Sequence, residues 1–286
     1  PTLSPEGRGS LPPYRCRVCH ATAGRRVIAD MRDWEHGTPG VWNYVACDRC
    51  GIVQLHPFPS MSQLLAAYPA DYHAFEKSER TGAVFAMLKK AFDAATTRAL
   101  RAAIRAGMRV LDVGCGEGLL LDRLRALGAE PRGLDFSEHA VERCRSRGHD
   151  VFHGLLADYP AAPASFDAVY MNGYLEHTRD PRADLATALA LLKPGGRLTL
   201  RVPNFRALDR ALFGRFWGGT HVPRHTFGYT DQTLPALLRT VGFGGVAVKP
   251  LPSPTYYALS VQNRLQKNRV ECGGKPEFSG GRAPYY

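Results

Sequence analysis

A short glycine-rich segment near the middle of the chain constrains the fold more than any other feature. Residues 110–113 (Val-Leu-Asp-Val) read as a buried β-strand, residues 114–118 (Gly-Cys-Gly-Glu-Gly) as a tight turn, and residues 119–127 have the apolar spacing of a helix. Glycines allow a backbone to approach a ligand closely, and the free N–H groups of a helix start face that ligand. The segment therefore predicts a strand, turn and helix that seat a nucleotide-like ligand.

The spacing of the glycines narrows the class of ligand that the turn can bind. A dinucleotide site has the pattern G-x-G-x-x-G, whereas this turn is G-x-G-x-G, follows Asp112 and contains Glu117. Two acids beside the turn suit a ligand with a cationic end better than a polyanion. The alternative is an ordinary strand-turn-helix, which needs neither three spaced glycines nor an acid. The segment closely resembles the first motif of class I S-adenosylmethionine (SAM) methyltransferases.

Strand-like and helix-like segments alternate between residues 109 and 202, which predicts an α/β fold with a parallel sheet and right-handed crossovers. Residues 165–169, 175–177 and 191–196 match successive motifs of the same methyltransferase family. The resemblance implies a Rossmann-like, doubly wound sheet of seven strands, the last of them antiparallel. Residues 245–249 and 255–261 are the expected last two strands.

Residues at the ends of the predicted strands are the expected cofactor ligands. Asp135 closes the second strand 17 residues after Gly118, where a carboxylate can accept hydrogen bonds from ribose hydroxyls, and Phe136 could pack on the adenine. Asp158 lies after the third strand, where the family contacts adenine, although loop acids are usually solvated. The residues predicted to bind SAM are Asp112, Gly114, Cys115, Gly116, Gly118, Asp135, Phe136, Asp158 and Asn172.

Four of the seven cysteines form two C-x-x-C pairs, Cys16 with Cys19 and Cys47 with Cys50. Two such pairs can supply four thiolates to a closed, tetrahedral and therefore structural Zn²⁺ site. A small segment with little core of its own would gain its fold from the metal. The alternatives are two unrelated pairs or disulfides. The sequence favours a zinc-ribbon-like module.

Composition shifts divide the chain into four predicted parts. They are a zinc-binding module (1–60), a helical linker or cofactor lid (61–105), a SAM-dependent methyltransferase domain (106–261) and a flexible polar tail (262–286). The aromatic loop 68–75, which includes Tyr72, could cap the cofactor or equally pack two helices together. With the cysteine pairs, this arrangement resembles bacterial methyltransferases that act on sugars, polyketides or other secondary metabolites.

Histidines near the ends of the fourth and fifth strands are the candidate bases. Methyl transfer to a hydroxyl group needs alignment and a general base. His177 follows the fourth strand at the ligand-binding edge, with Glu176 before it, and the alternative is that both only organise the loop. A second group comprises Trp217, His221, Arg224 and His225.

This second group lies where the family inserts acceptor-binding elements, and Arg224 would suit a phosphate or carboxylate. A buried structural loop is the alternative. The sequence thus predicts catalytic roles for His177, His221 and His225, and acceptor contacts at Tyr72, Trp217 and Arg224.

The net charge is +11, with a small negative balance over residues 111–203 and +7 over residues 204–286. No dense Lys/Arg run interleaved with aromatics appears, so the sequence favours a small-molecule acceptor over nucleic acid. The leading hypothesis is O-methylation of a small hydroxylated metabolite. An RNA methyltransferase and a non-catalytic SAM- or zinc-binding module remain as alternatives. Without an apolar run long enough to span a membrane or a signal peptide, a cytoplasmic location is expected.

Overall fold

In the computed structural model the described residues are 12–68, 83–251 and 253–271. The N-terminal part is an antiparallel sheet of three strands, β1 (Gly24–Met31), β2 (Trp42–Cys47) and β3 (Val53–His56), paired in that order. Helices α1 (Met61–Ala66) and α2 (Ala83–Ala103) follow. The hydroxyl of Ser60 accepts from the Gln63 N–H and the Gln63 side chain accepts from the Ser60 N–H, so a capping box begins α1.

The centre of the molecule is a five-stranded parallel sheet. Its strands are β4 (Arg109–Val113), β5 (Glu130–Asp135), β6 (Val151–His153), β7 (Phe166–Asn172) and β8 (Leu192–Arg201), in the order β6-β5-β4-β7-β8. Helices α3 (Leu119–Ala126), α4 (Glu138–Ser146) and α5 (Pro181–Leu191) connect them. The order reverses beside β4, so the loops after β4 and β7 diverge and leave a crevice at the carboxyl edge. The predicted Rossmann-like α/β class is confirmed.

The chain then returns to the N-terminal sheet, and the last described residues form helices. The elements after β8 are α6 (Leu208–Phe213), β9 (Phe227–Gly228), α7 (Thr233–Val241), α8 (Pro254–Leu265) and α9 (Lys267–Glu271). Strand β9 pairs antiparallel with β3, which makes the N-terminal sheet four-stranded. The segment that follows the central sheet is therefore tied to the beginning of the chain.

The prediction of two further strands after α7 was wrong. Residues 246–250 form neither a strand nor a helix, and residues 255–261 lie within α8. The Ser253 side chain accepts from the Tyr256 N–H at 3.4 Å and Pro254 occupies the first turn, so a cap starts a helix despite the β-favouring Tyr and Val residues. Residues 262–271, which the sequence assigned to a mobile tail, belong to α8 and α9 apart from Gln266 between them, and residues 272–286 lie outside the described residues.

One hydrophobic cluster spans both sheets. Cys16, Val18, Cys47 and Ile52 from the N-terminal part share it with central-sheet residues such as Leu111. Phe227 of β9 belongs to the same cluster and is fully buried. The division of the chain into domains stays a prediction. The hydrophobic core runs across the predicted boundary at residue 60. Among the described helices, none is both long enough and apolar enough to cross a membrane.

Candidate active site

The glycine-rich loop after β4 has the conformation that its sequence predicts. Gly114, Gly116 and Gly118 all have positive φ, at +73°, +50° and +76°. The N–H groups of Gly114 and Cys115 both donate to the carbonyl of Leu134, at 2.8 and 3.0 Å. The loop therefore turns back over the end of β5, in a left-handed backbone conformation that favours glycine.

Two buried carboxylates lie under this loop. Oδ2 of Asp135 accepts from the Gly116 N–H and Oδ1 accepts from the Ser137 N–H, both at 2.9 Å. Burial, and then the charge of Asp135, raise the pKa of Asp112 to about 7. Burial also raises the pKa of Asp135, and hydrogen bonds from backbone N–H groups partly oppose this effect. The geometry offers two desolvated carboxyl groups, and a ligand with a cationic end would favour their charged form.

Other predicted cofactor residues lie at the same edge. Cys115 is buried in the loop, while Asp158, in a short 3₁₀ turn after β6, and Asn172, the last residue of β7, are exposed. Phe136 is 46% exposed, and the ring of Tyr68 meets it edge-on at 5.3 Å. Tyr72 lies outside the described residues.

Tyr68 links this edge to the histidines. Its hydroxyl lies 3.0 Å from Nδ1 of His177. The tautomer of the ring decides which of the two groups donates in this hydrogen bond. The sequence placed Tyr68 in an aromatic loop but did not identify it as a site residue. The only feature of the sequence that pointed to Tyr68 was its position just after α1 and before further aromatic residues.

The three predicted histidines do come together. His177 is half-buried in the loop after β7, and the ring of His225 lies perpendicular to it at 4.5 Å. The ring of His221 lies 4.6 Å from that of His225. Burial, and then the charges of His221 and Arg224, lower the pKa of His177 to about 3, and burial lowers that of His225 well below 6.5. Both rings are therefore neutral near pH 7.

Arg224 does not face the crevice, which corrects the expectation that it binds an anionic acceptor. Its guanidinium is wholly buried and bidentate with Asp33, both contacts at 3.2 Å, and it also donates to Glu35 at 3.3 Å and to the Ala67 carbonyl at 3.0 Å. Oε2 of Glu35 lies 2.7 Å from Nδ1 of His221. Asp33 and Glu35 could not be identified from the sequence, because their partners lie 191 and 186 residues away in the chain.

Trp217 is also enclosed rather than open to an acceptor. Its side chain is 1% exposed, packs edge-on against Phe205 at 5.3 Å and donates from Nε1 to Asp209 at 3.0 Å. These contacts fit the alternative of a buried structural loop for this residue. Acceptor contact at Trp217 would need a rearrangement of that packing.

Glu176 holds the histidine loop, residues 221–225, in place through its backbone. Its backbone carbonyl accepts from the N–H groups of Thr226 and Phe227, at 2.8 and 3.1 Å, directly after His225. Its side chain is fully buried near the His177 and His225 rings. One carboxylate oxygen of Glu176 and one ring nitrogen of each histidine lie within 4.8 Å of one another. Burial raises the pKa of Glu176 to about 8, so this carboxyl is largely protonated at neutral pH.

The four paired cysteines converge at the other end of the N-terminal sheet. The sulfurs of Cys16 and Cys50 are 3.6 Å apart and those of Cys19 and Cys47 are 3.5 Å apart, and all four lie within 4.8 Å of one another. Tetrahedral zinc with bonds of about 2.3 Å places its sulfurs about 3.8 Å apart. The four side chains therefore fit a single Zn²⁺ ion.

A family model described as "Methyltransferase domain" matches residues 86–248, more than half of the chain. The chain belongs to this methyltransferase family. It is a SAM-dependent methyltransferase, and the alternative of a non-catalytic binding module is set aside. The resemblance of the glycine loop and the later motifs to this family predicted the activity.

Several curated relatives that are similar to the enzyme carry the name "Ubiquinone biosynthesis O-methyltransferase". The protein of Thiobacillus denitrificans is 35% identical over 171 residues, which are 56% of this chain and 74% of the relative. That of Xanthomonas campestris pv. campestris is 34% identical over 186 residues, 59% of this chain and 77% of the relative. That of Xanthomonas euvesicatoria is 38% identical over 144 residues, and this match spans only 59% of the relative.

Solved methyltransferase structures align with part of the chain. A SAM-dependent methyltransferase from Archaeoglobus fulgidus is 20% identical, with 68% of this chain and 96% of that chain covered and a TM-score of 0.48. A possible histamine N-methyltransferase from Thermotoga maritima is 24% identical, with 52% and 69% covered and a TM-score of 0.43. The fold assignment rests on the observed strand order, not on these scores.

Proposed function

We propose that the enzyme transfers a methyl group from SAM to a hydroxyl group of a small acceptor, with His177 as the general base. The observation that carries this proposal is the position of His177. It is half-buried at the carboxyl edge of the sheet and is linked through Tyr68 to Phe136, beside the predicted cofactor loop. The O-methyltransferase names of the curated relatives support oxygen as the methylated atom.

The residues of the glycine loop and the adjacent strand ends fit SAM. Asp112 and Asp135 place two buried carboxyl groups beneath the loop. The glycines between Gly114 and Gly118 allow its backbone to approach the cofactor closely. Phe136, Asp158 and Asn172 lie around the same edge. SAM supplies a methyl group already activated on a sulfonium, so the protein mainly has to align the acceptor and remove its proton.

His177 is suited to removing that proton. The Tyr68 hydroxyl lies 3.0 Å from Nδ1, and a neutral imidazole has one ring nitrogen with a lone pair that can accept a proton. An acceptor hydroxyl that hydrogen-bonds to Tyr68 or displaces it can pass its proton to Nδ1 in the tautomer that leaves the lone pair there. The perpendicular His225 ring fixes the orientation of His177 from the buried side.

The test is a methyl-transfer screen with His177→Gln beside the wild-type enzyme. Catechol and simple phenols are the first acceptors, because the relatives are named for ubiquinone biosynthesis, and sugars and polyketides follow. Release of S-adenosylhomocysteine is measured. We expect His177→Gln to lower kcat by a factor of about 10² to 10⁴ with the Kd for SAM unchanged. A variant kcat within threefold of wild type would show that His177 is not the base.

We also propose that Cys16, Cys19, Cys47 and Cys50 bind one structural Zn²⁺ ion. The backbone supports this site, since the N–H groups of His20 and Gly51 donate to the carbonyls of Cys16 and Cys47, both at 2.9 Å. Four thiolates leave no open coordination position, so the ion would stabilise the fold and take no part in methyl transfer. Elemental analysis after purification without chelator should give one zinc per chain, and a Cys47→Ser variant should lose it.

A further inference from the structure

A groove lies near the amino-terminal edge of the central sheet, at the other end of β4 from the glycine-rich loop. It has a volume of about 640 Å³. Strands β4, β5, β6 and β7 all contribute to its walls, together with α4 and the segment between β6 and β7. A groove of this size can hold a small organic molecule. The residues that we propose to bind SAM, zinc or the methyl acceptor do not line it.

The strand register places two arginines on one face of the sheet beside this groove. Arg132 of β5 pairs with Leu111 of β4, and Arg109 lies two residues before Leu111. Side chains two residues apart point to the same face of a strand, so Arg109 and Arg132 share one face. Leu111 and Leu134, the next residues along that face, belong to the hydrophobic core. The core face therefore ends in two cations at this edge.

Arg145 of α4 brings a third guanidinium to the groove. Its Nε and Nη2 donate to the Val151 carbonyl at 3.2 and 2.8 Å, which holds the side chain at the start of β6. Among the described residues that line the groove, the one carboxylate is that of Asp150, which pairs with Arg132. Three guanidiniums and one carboxylate leave an excess of two positive charges on the walls.

Asp167, at the start of β7, does not remove this excess. Its Oδ1 lies 2.7 Å from Nζ of Lys193, and its Oδ2 accepts from the backbone N–H of Arg109 at 2.8 Å. The charge of Asp167 is therefore matched by that of Lys193. The Arg109 guanidinium lies over the Phe166 ring, 5.5 Å from its centroid, and forms no salt bridge with a described residue. An arginine that packs on a ring in this way keeps its N–H groups available to an anion.

Tyr159 adds a hydroxyl group to these cations. Its ring packs edge-on against Phe152 at 5.6 Å and lies 6.1 Å from the Phe166 ring. Burial raises the pKa of Tyr159, whereas the charges of Arg132 and Arg109 lower it, so both guanidiniums act on the hydroxyl. The hydroxyl keeps its proton at neutral pH and can donate to an anion.

We propose that this groove binds a small organic phosphate. Arginine forks match the oxygens of a phosphate group, and the excess of two positive charges balances the charge that a phosphate monoester carries near pH 7. The Tyr159 hydroxyl supplies a further donor, and the rings of Phe152 and Tyr159 suit an apolar group beside the phosphate. This site lies apart from the crevice at the carboxyl edge and does not rest on the proposed function.

Calorimetry with phenyl phosphate on the full chain tests this proposal. The enzyme is first saturated with S-adenosylhomocysteine, so that binding at the cofactor site does not contribute. We expect one phenyl phosphate bound per chain, with an affinity that falls as salt is added, because the attraction is between exposed charges.

Arginine variants locate the binding. Arg109→Gln and Arg132→Gln should each raise the Kd for phenyl phosphate about tenfold or more, because each removes charge-assisted hydrogen bonds. Tyr159→Phe keeps the ring and should raise the Kd by a smaller factor. Arg206→Gln is the control, because it removes an exposed guanidinium paired with Asp231 outside the groove, and it should leave the Kd unchanged.

Absence of binding to the wild-type enzyme at low salt would overturn the proposal. So would a Kd within twofold of wild type in both Arg109→Gln and Arg132→Gln, since the phosphate would then bind elsewhere. Thermal unfolding checks the fold of each variant, and phenyl phosphate should raise the Tm of the wild type and not that of Arg109→Gln. A fully active His177→Gln enzyme would contradict the proposed function alone, and these binding results would contradict the groove alone.

Discussion

Gly118 and Gly107 have nearly the same backbone conformation in different surroundings. Their φ values are +76° and +78°. A Cβ at Gly118 would lie 2.8 Å from the sulfur of Cys144, whereas a Cβ at Gly107 would meet nothing within 4 Å. Both alanine variants bear the same left-handed strain, so the difference between them isolates packing under the cofactor loop.

We expect Gly118→Ala to destabilise the protein by about 1–3 kcal/mol more than Gly107→Ala, because the buried neighbour must shift to avoid overpacking. Gly118→Ala should also weaken SAM binding, since Gly118 ends the glycine-rich loop and caps the start of α3. Urea unfolding gives the free energies and calorimetry the affinity. Equal losses of stability in both variants would contradict the packing explanation.

At the scale of single residues, local sequence was informative where the contacts are local. Asp112, Gly116 and Asp135 could be predicted because a strand-turn-helix places them at one strand edge. Asp33 and Glu35 could not, because their role comes from pairing with Arg224 and His221 across the fold. The same pairing explains why Arg224 was wrongly expected to face an anionic acceptor.

Among the secondary-structure elements, α8 packs tightly on the loop that precedes the histidines. The Gly218 N–H donates to the hydroxyl of Ser260 at 2.8 Å, and the Asn263 side chain donates to the Phe216 carbonyl at 3.2 Å. A Cβ at Gly218 would lie 2.5 Å from Cβ of Leu259. This close approach of helix and loop leaves no room for a side chain at Gly218.

Gly218→Ala should therefore push α8 away from the loop and cost at least about 2 kcal/mol. Gly244→Ala is the matched control, because a Cβ there meets nothing within 4 Å and neither glycine has a positive φ. Denaturant unfolding compares the two, and hydrogen exchange should show faster exchange in α8 of the first variant only. Unchanged protection of α8 would indicate that the contact is not what holds the helix.

Element type was predictable where apolar periodicity and caps agree, as in α3, α4 and the central strands. It was not predictable for α8, whose Tyr256, Tyr257 and Val261 favour a strand while Ser253 and Pro254 start a helix. Strand β9 was missed because it is two residues long and exists only through its pairing with β3. Such an element has no periodicity of its own.

At the scale of the whole molecule, the cysteine cluster and the catalytic sheet share one core. Cys16 and Cys47 are 0% and 2% exposed and belong to the same buried cluster as Leu111 and Phe227. The Arg17 N–H donates to the Gln54 side chain of β3, which pairs directly with Phe227 of β9. A change at the proposed zinc site should therefore be transmitted to the histidine loop through these contacts.

Removal of zinc tests this coupling in the full chain. With 1,10-phenanthroline we expect a single unfolding transition by calorimetry, at a Tm lower by about 10 °C, because loss of several kcal/mol of metal binding destabilises the shared core. The non-chelating isomer 1,7-phenanthroline is the control and should leave Tm unchanged. Two separate transitions, with the SAM-stabilised one at its original temperature, would show instead that the N-terminal part unfolds on its own. In that case the pairing of β3 with β9 would not couple the unfolding of the N-terminal part to that of the central sheet.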